Sequence, residues 1–514
     1  MSLSTHCRGC GMSRREFLQT SAVATGAVAT LAQRAAAAGA GEVASALEVP
    51  FAIKPVVAGM IHERAWEGSC RWGDLPNLTF EVETRRLGQS VEDLKARLAQ
   101  QPLPKGIETL APVSMHSWAE AGNPEIMFDD AQLEKLAADD PRTDAYMVTA
   151  AAVPCLKIAR RFKKPVIVAN APGWGLDIPA GLRREGLEGY YVRNWDELRV
   201  LLGVLRARKA FAATKLLRVT NFPNTVPSGV ISAIPDLDVP KTLYGMDHVT
   251  VPYATFFGEM DAFVSRPENR KAAEALAAGL VRNAAKNDMT LEELANSTLF
   301  FLYTHDVMAR HEANAFTIEC FELCSSLNPW KRHFTPCLTH ALNKDAGLPS
   351  ACEGDVNALM AMSALMYLSR KSVYMGNPDI DVEQNVLALH HSDVGRRMKG
   401  IDEADTPYEI DAFTKSGFGA TLRYDFNADK GAPVTAGRFS PCGHKMLVTR
   451  GAVRGGKGLD GLGCAQSVDV DIVDARGLLR TQQDFGHHLS LVFGDYVEPL
   501  RDLGAAMGFE VVLV

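Results

Sequence analysis

The chain has 514 residues, of which 47% are hydrophobic and 22% charged, so wholesale disorder is excluded and a length prior of about 150 residues per domain gives about three domains. The net charge of −7 excludes nucleic acid as a main partner, which needs a basic face. A core this large folds without covalent staples, so the ten cysteines are not a folding requirement.

The first element is an address. Ser13-Arg14-Arg15-Glu16-Phe17-Leu18 precedes a weakly apolar run to Ala32 and the small-residue stretch Ala35–Ala38, which reads as a twin-arginine export signal over residues 1–38. The mature protein is then expected in the periplasm or outside the cell, with no membrane span. The signal carries Arg8, Arg14, Arg15, Arg34 and Glu16, a net +3, so the remainder carries −10 rather than −7. Cys7-x-x-Cys10 leaves with the signal; the other cysteines read as buried thiols.

Residues 39–205 alternate strand and helix. Pro55–Ile61 reads as a first buried strand, Val91–Ala99 as helix, and Asp144–Ala150 and Pro165–Asn170 as strands joined by a crossover helix, Cys155–Phe162. That order predicts a parallel sheet in a three-layer α/β domain. The chain has no Gly-x-Gly-x-x-Gly after the first strand and no Gly-Lys-Ser/Thr loop, which argues against nucleotide cofactors. A second α/β block, 206–370, opens with the strand Lys215–Thr220. It continues with helices over Asn269–Ala285 and Leu291–Ala313 and a strand over Ala315–Phe321. From 371 to 514 glycines cluster and short strands follow one another (Ala420–Tyr424, Lys445–Thr449, Ser467–Val473), which predicts an antiparallel barrel or sandwich. A helix, Val497–Met507, and a last apolar strand close the chain.

The densest polar signal is Cys352-Glu353-Gly354-Asp355-Val356, set before an apolar helix. Next comes the strand Ser372–Met375, expected to end at Gly376-Asn377. Ligands gather where parallel strands end, so a strand–helix–strand unit would bring Glu353 and Asn377 together. The competing reading is that Glu353 and Asp355 only cap the helix. Two histidine pairs lie at strand ends, His390-His391 and His487-His488. A carboxylate and imidazoles from separate elements make a divalent-metal site, although neither pair has the spacing of a one-helix zinc motif.

In this order the residues resemble the L-fucose isomerase / L-arabinose isomerase superfamily, in its fucose-isomerase-like branch. The resemblance is carried by Cys-Glu-Gly-Asp-Val at 352–356, Met-Gly-Asn at 375–377, His391, Gly-Ala-Pro-Val-Thr-Ala-Gly-Arg at 431–438, and His487-His488. It implies two Rossmann-like three-layer α/β domains followed by a β-rich, barrel-like domain. It also implies a homo-oligomer (trimer or hexamer), a sugar or polyol substrate, and Mn2+ or another divalent metal. The implied reaction is aldose–ketose isomerisation through an ene-diol. Glu353 matches the family's metal-binding glutamate and proton carrier, and His488 its metal histidine, with His487 as rival. His391 falls near a further histidine ligand of the arabinose isomerases. Asn377 stands where the family has an aspartate: its amide oxygen can bind a cation but cannot take a proton. Asp355, Asp379 and Asp381 are the nearby acids that could replace it. With Asn377 in place, the alternatives are a sugar-binding descendant without turnover and a lyase-type reaction on the same metal.

Overall fold

The computed structural model describes residues 43–64, 79–120, 125–149, 152–169, 173–222, 234 and 236–514. The export signal, Cys7, Cys10 and Cys70 lie outside them. The chain is mixed α/β and divides into two compact units, 48–209 and 210–514 with the residues up to 47. The second and third domains expected from sequence therefore lie in one unit. The helix Trp195–Ala212 runs through the division, so no loop marks it.

The 48–209 unit is built on one sheet. Strands β1 (Phe51–Arg64), β2 (Ile107–Thr109), β3 (Val113–Glu120), β5 (Ala145–Thr149), β6 (Val166–Ala169) and β7 (Gly189–Val192) pair in parallel. The short β4 (Ile126–Met127) adds an antiparallel edge to β3. The expected crossover is present: β5, the helix Ala152–Phe162, and β6 beside β5. Val166 to Ala169 are all buried, as a strand covered on both faces requires.

The larger unit holds three sheets. β8 (Lys215–Val219), β9 (Asp247–Val251), β11 (Ala315–Ile318) and β12 (Ser350–Ala351) form a parallel sheet in the order β12-β11-β8-β9. β11 ends at Ile318, earlier than the apolar run suggests, because the Glu319 carboxylate accepts the backbone N–H of Phe321 and Glu322 and starts a helix, Cys320–Ser325. β10 (Lys286–Asn287), β15 (Glu409–Ala412) and β16 (Ala420–Arg423) make a small second sheet. The Ala420–Tyr424 stretch is therefore not part of the barrel.

The barrel itself is closed. β13 (Tyr374–Asp381), β14 (Val386–His390), β17 (Pro433–Phe439), β18 (Lys445–Lys457), β19 (Ser467–Ile472) and β20 (Leu489–Phe493) pair antiparallel in the ring β17-β20-β13-β14-β19-β18, and β17 pairs back with β18. β21 (Glu510–Leu513) lies parallel along β18. Closure removes the free strand edges that an open sheet of this size would expose.

One expectation needs correction. β13 does not end at Gly376-Asn377 and is not a parallel partner of β12; it runs on through Asn377 to Asp381 inside the barrel. Gly376 lets it continue, since a Cβ there would lie 2.7 Å from the Leu389 Cβ and 3.0 Å from that residue's carbonyl carbon. The helix Val356–Ser369 thus joins two different sheets. It is apolar on every side and buried from Val356 to Tyr367, as a helix with no solvent face must be. Ser350 of β12 donates its backbone N–H to Met362 Sδ. On the other side Ser490 of β20 donates to the Ala358 carbonyl, and Asn357 Nδ2 donates to the carbonyls of Phe439 and Ser440.

Two buried histidines in this unit predict acid sensitivity. His305 faces Asn343 Oδ1 at 2.8 Å and burial holds it down to about 4; His340 faces Ser350 Oγ at 2.8 Å and burial holds it down to about 3. Both are neutral when folded, whereas the unfolded chain takes up protons below about 6.5. Their contribution is complete above pH 6.5 and is lost as pH falls toward the folded values, by up to about 1.4 kcal/mol per pH unit for each. Thermal melts at pH 7.5, 5.5 and 4.5 should show this decline. A His305→Gln variant with an undiminished slope would count against it.

Candidate metal centre

Glu353 lies in the turn between β12 and the Val356–Ser369 helix. The turn closes with Asp355 N–H donating to the Cys352 carbonyl at 3.2 Å, and both central residues are left-handed, Glu353 at φ 58° and Gly354 at φ 66°. Glycine takes this conformation freely, but a glutamate there costs about 1–2 kcal/mol. Strain of this kind concentrates at functional positions. Here the turn presents the carboxylate to His391 and His488, which flank barrel strands. Replacing Glu353 by glycine should therefore stabilise the metal-free protein by about 1 kcal/mol, strain relief exceeding the entropy glycine adds to the unfolded chain. Calorimetry of the metal-free variant checks this; a melting point several degrees below the parent would refute it.

Two imidazoles face that carboxylate. His391 Nε2 lies 3.6 Å from Glu353 Oε1, and His488 Nε2 lies 3.4 Å from Oε2. The rings are nearly perpendicular, with centroids 5.8 Å apart. His391 is 1% and His488 0% exposed, while the Glu353 side chain keeps 12%. Neither nitrogen of His391, nor Nε2 of His488, has a hydrogen-bond partner. Burial pulls the Glu353 carboxyl up, but the imidazoles outweigh it and hold it below the ordinary glutamate range. Orphaned buried nitrogens arranged about a carboxylate are the environment of a bound cation.

The second layer fixes His488. Asp355 Oδ1 accepts the Ala358 N–H at 2.9 Å as the helix N-cap. Its Oδ2 accepts from His488 Nδ1 at 2.9 Å and from Arg438 Nη1 at 2.6 Å. Arg438 also donates to the carbonyls of Phe485 and His488. With Asp355 engaged at Nδ1, Nε2 is the His488 nitrogen left facing Glu353, the arrangement in which histidine binds metal. Burial pushes the Asp355 carboxyl up, but Arg438 and His488 hold it well below the usual range, so it stays charged. The capping reading of Asp355 is thus correct for one oxygen, and the other orients a histidine.

Register accounts for the remaining residues. Asn377 of β13 pairs with His390 of β14, and the β13–β20 ladder ends at Gly376↔Leu489, one step before Asn377 would meet His488. Asn377 and His390 therefore share a row and a face of the barrel. The Asn377 Oδ1 is buried with no hydrogen-bond partner. His391, one step beyond the His390↔Ser467 pair, continues that register by donating its backbone N–H to the Gln466 carbonyl, and it is its ring, not that of His390, that lies against Glu353. His487 is exposed and stacks at 4.5 Å on His488. Asp379 is exposed further along β13. With Asp381, Arg454 and Asp469 it lines an open groove of about 350 Å³ that Glu353 does not line.

Two residues gain a place at the site only from the structure. Cys352 is buried, and its Sγ, a Glu353 oxygen and a His391 nitrogen all lie within 4.8 Å of one another. Lys344, from the helix Cys337–Asp345, is fully buried and pairs at 2.6 Å with Asp393, whose other oxygen is 4.0 Å from His391 Nδ1. The chain's seven described cysteines, Cys352 among them, are free thiols. No helix among the described residues is long and apolar enough to cross a membrane. No protein-family model matches the chain, and no curated protein matches it.

Proposed function

We propose that the protein is an exported, metal-dependent enzyme acting on a sugar or related polyol, with Glu353, His391 and His488 as the protein ligands of a divalent ion and aldose–ketose isomerisation as its reaction. The observation that supports this best is the pair of buried, unpartnered imidazole Nε2 atoms directed at one carboxylate. When bound, the ion supplies polarisation of adjacent sugar oxygens. Glu353, ionised and still partly exposed, is the group able to take a proton from a sugar carbon and return it to the neighbouring one. Asp355 and Arg438 hold His488 in one tautomer, and Asn377 offers a neutral amide to a sugar hydroxyl or to the ion. The sequence resemblance contributes manganese as one candidate ion, two Rossmann-like domains ahead of the barrel, and a trimer or hexamer. Its export signal contributes a periplasmic or secreted location.

Protein expressed with several divalent metals is expected to carry about one ion per chain, lost in His488→Ala. Solvent deuterium should enter C2 of at least one sugar in an aldose panel. A metal-free protein under all these conditions defeats the reading. The neutral amide at Asn377 favours, as second reading, sugar binding without turnover or a lyase-type step. Sugar binding without exchange, with exchange gained by Asn377→Asp, would establish the binding form.

A further inference from the structure

The charge balance at this centre does not close on the three residues named so far. Glu353 is the one carboxylate among the described residues that faces both imidazoles. Asp355 is committed to Arg438, His488 and the helix cap; Asp393 is paired with Lys344; Glu319 accepts the N–H groups of Phe321 and Glu322. Asn377 is neutral. A divalent ion held by Glu353 and two neutral imidazoles would keep an excess charge in a site whose walls are almost wholly buried, which is costly. Cys352 precedes Glu353 on the same turn, is 3% exposed, and has its Sγ within 4.8 Å of donor atoms on both Glu353 and His391.

We propose that Cys352 is the fourth protein ligand, as a thiolate, and that the centre takes a thiophilic divalent cation of the zinc type in preference to manganese. This rests on the metal-site reading above. On binding, the S–H bond breaks, an S–metal bond forms, and one proton leaves to solvent, so the two charges of the ion meet those of Glu353 and Cys352. Donors at zinc-type bond lengths of about 2.0–2.3 Å around one tetrahedral ion stand roughly 3.3–3.6 Å apart. Glu353 Oε1 and His391 Nε2, 3.6 Å apart, lie in this range, and His488 Nε2 stands 3.4 Å from the other carboxylate oxygen, Oε2. One sulfur, two nitrogens and one carboxylate oxygen suit zinc, whereas manganese favours oxygen donors.

The test uses the full chain loaded with cobalt(II), a coloured stand-in for zinc, and with zinc itself. Cobalt is expected to give a near-ultraviolet thiolate charge-transfer band that is lost in Cys352→Ser and kept in Cys320→Ser, a neighbouring half-buried thiol that hydrogen-bonds Cys352. X-ray absorption of the zinc-loaded parent protein should show one sulfur neighbour at about 2.3 Å, a result that does not depend on any variant folding. Bound cobalt without the band, zinc with only nitrogen and oxygen neighbours, or a band lost in Cys320→Ser but not in Cys352→Ser would each overturn the proposal and leave the Glu353–His391–His488 site standing. Failure of the full chain to bind either metal would overturn both.

Discussion

Replacing Asp355 by alanine is expected to destabilise the 210–514 unit by about 3–5 kcal/mol and to weaken divalent-metal binding by about 10–100-fold. The stability loss has two sources. The helix Val356–Ser369 loses its cap at Ala358, worth about 1 kcal/mol. Arg438, fully buried, loses the Asp355 carboxylate it pairs with at 2.6 Å, while its bonds to the carbonyls of Phe485 and His488 remain. Removing the carboxylate partner of a buried charge dominates the total. The affinity loss comes through His488: without Asp355 its Nδ1 has no acceptor, so nothing selects the tautomer that aims the Nε2 lone pair at Glu353. Asp355→Asn separates the contributions, because an amide oxygen can still cap Ala358 but leaves Arg438 unneutralised. It should recover about 1 kcal/mol relative to alanine and little else. Calorimetry and metal titration read the two effects independently. A drop of less than 1 kcal/mol with unchanged metal affinity would show that Asp355 is only a cap.

The parts of this architecture legible in sequence are those set by local periodicity. The helix Val497–Met507 is read to the residue, because its apolar pattern is bounded by Gly494-Asp495 and Gly508. Glu353 and His488 stand out as polar residues beside long apolar runs. What the sequence does not carry is long-range register. Ser372–Met375 followed by Gly376-Asn377 looks like a strand and its stop, since glycine usually marks an end. Here glycine is needed for close approach to Leu389 in mid-strand. The same limit hides which member of each histidine pair turns inward, because that depends on the register of His391 against Gln466 and on Asp355 holding His488. Arg438 sits inside a recognisable motif, yet its role is set by a carboxylate 83 positions away.

The Lys344–Asp393 pair is the extreme of this kind, joined across 49 positions and belonging to no motif, and it carries the other large expected effect. Lys344→Met should destabilise the 210–514 unit by about 3–5 kcal/mol, lowering its melting temperature by roughly 6 °C or more. Lys344 is 0% and Asp393 1% exposed, so removing the ammonium leaves a carboxylate that water cannot reach. His391 Nδ1 lies 4.0 Å from Asp393 Oδ1. The single variant should also lose metal affinity, because the unpaired Asp393 carboxylate then pulls on the His391 ring and disturbs its aim at Glu353. Lys344→Met with Asp393→Leu removes both charges and should restore most of the stability, since an apolar replacement of a buried pair is often neutral or favourable. It should also restore metal binding if Asp393 matters only as a charge. If instead it orients His391, stability will return and affinity will not. A single variant as stable as the parent would mean that Lys344 does not neutralise Asp393 in solution, and the electrostatic account of the layer behind His391 would fail with it.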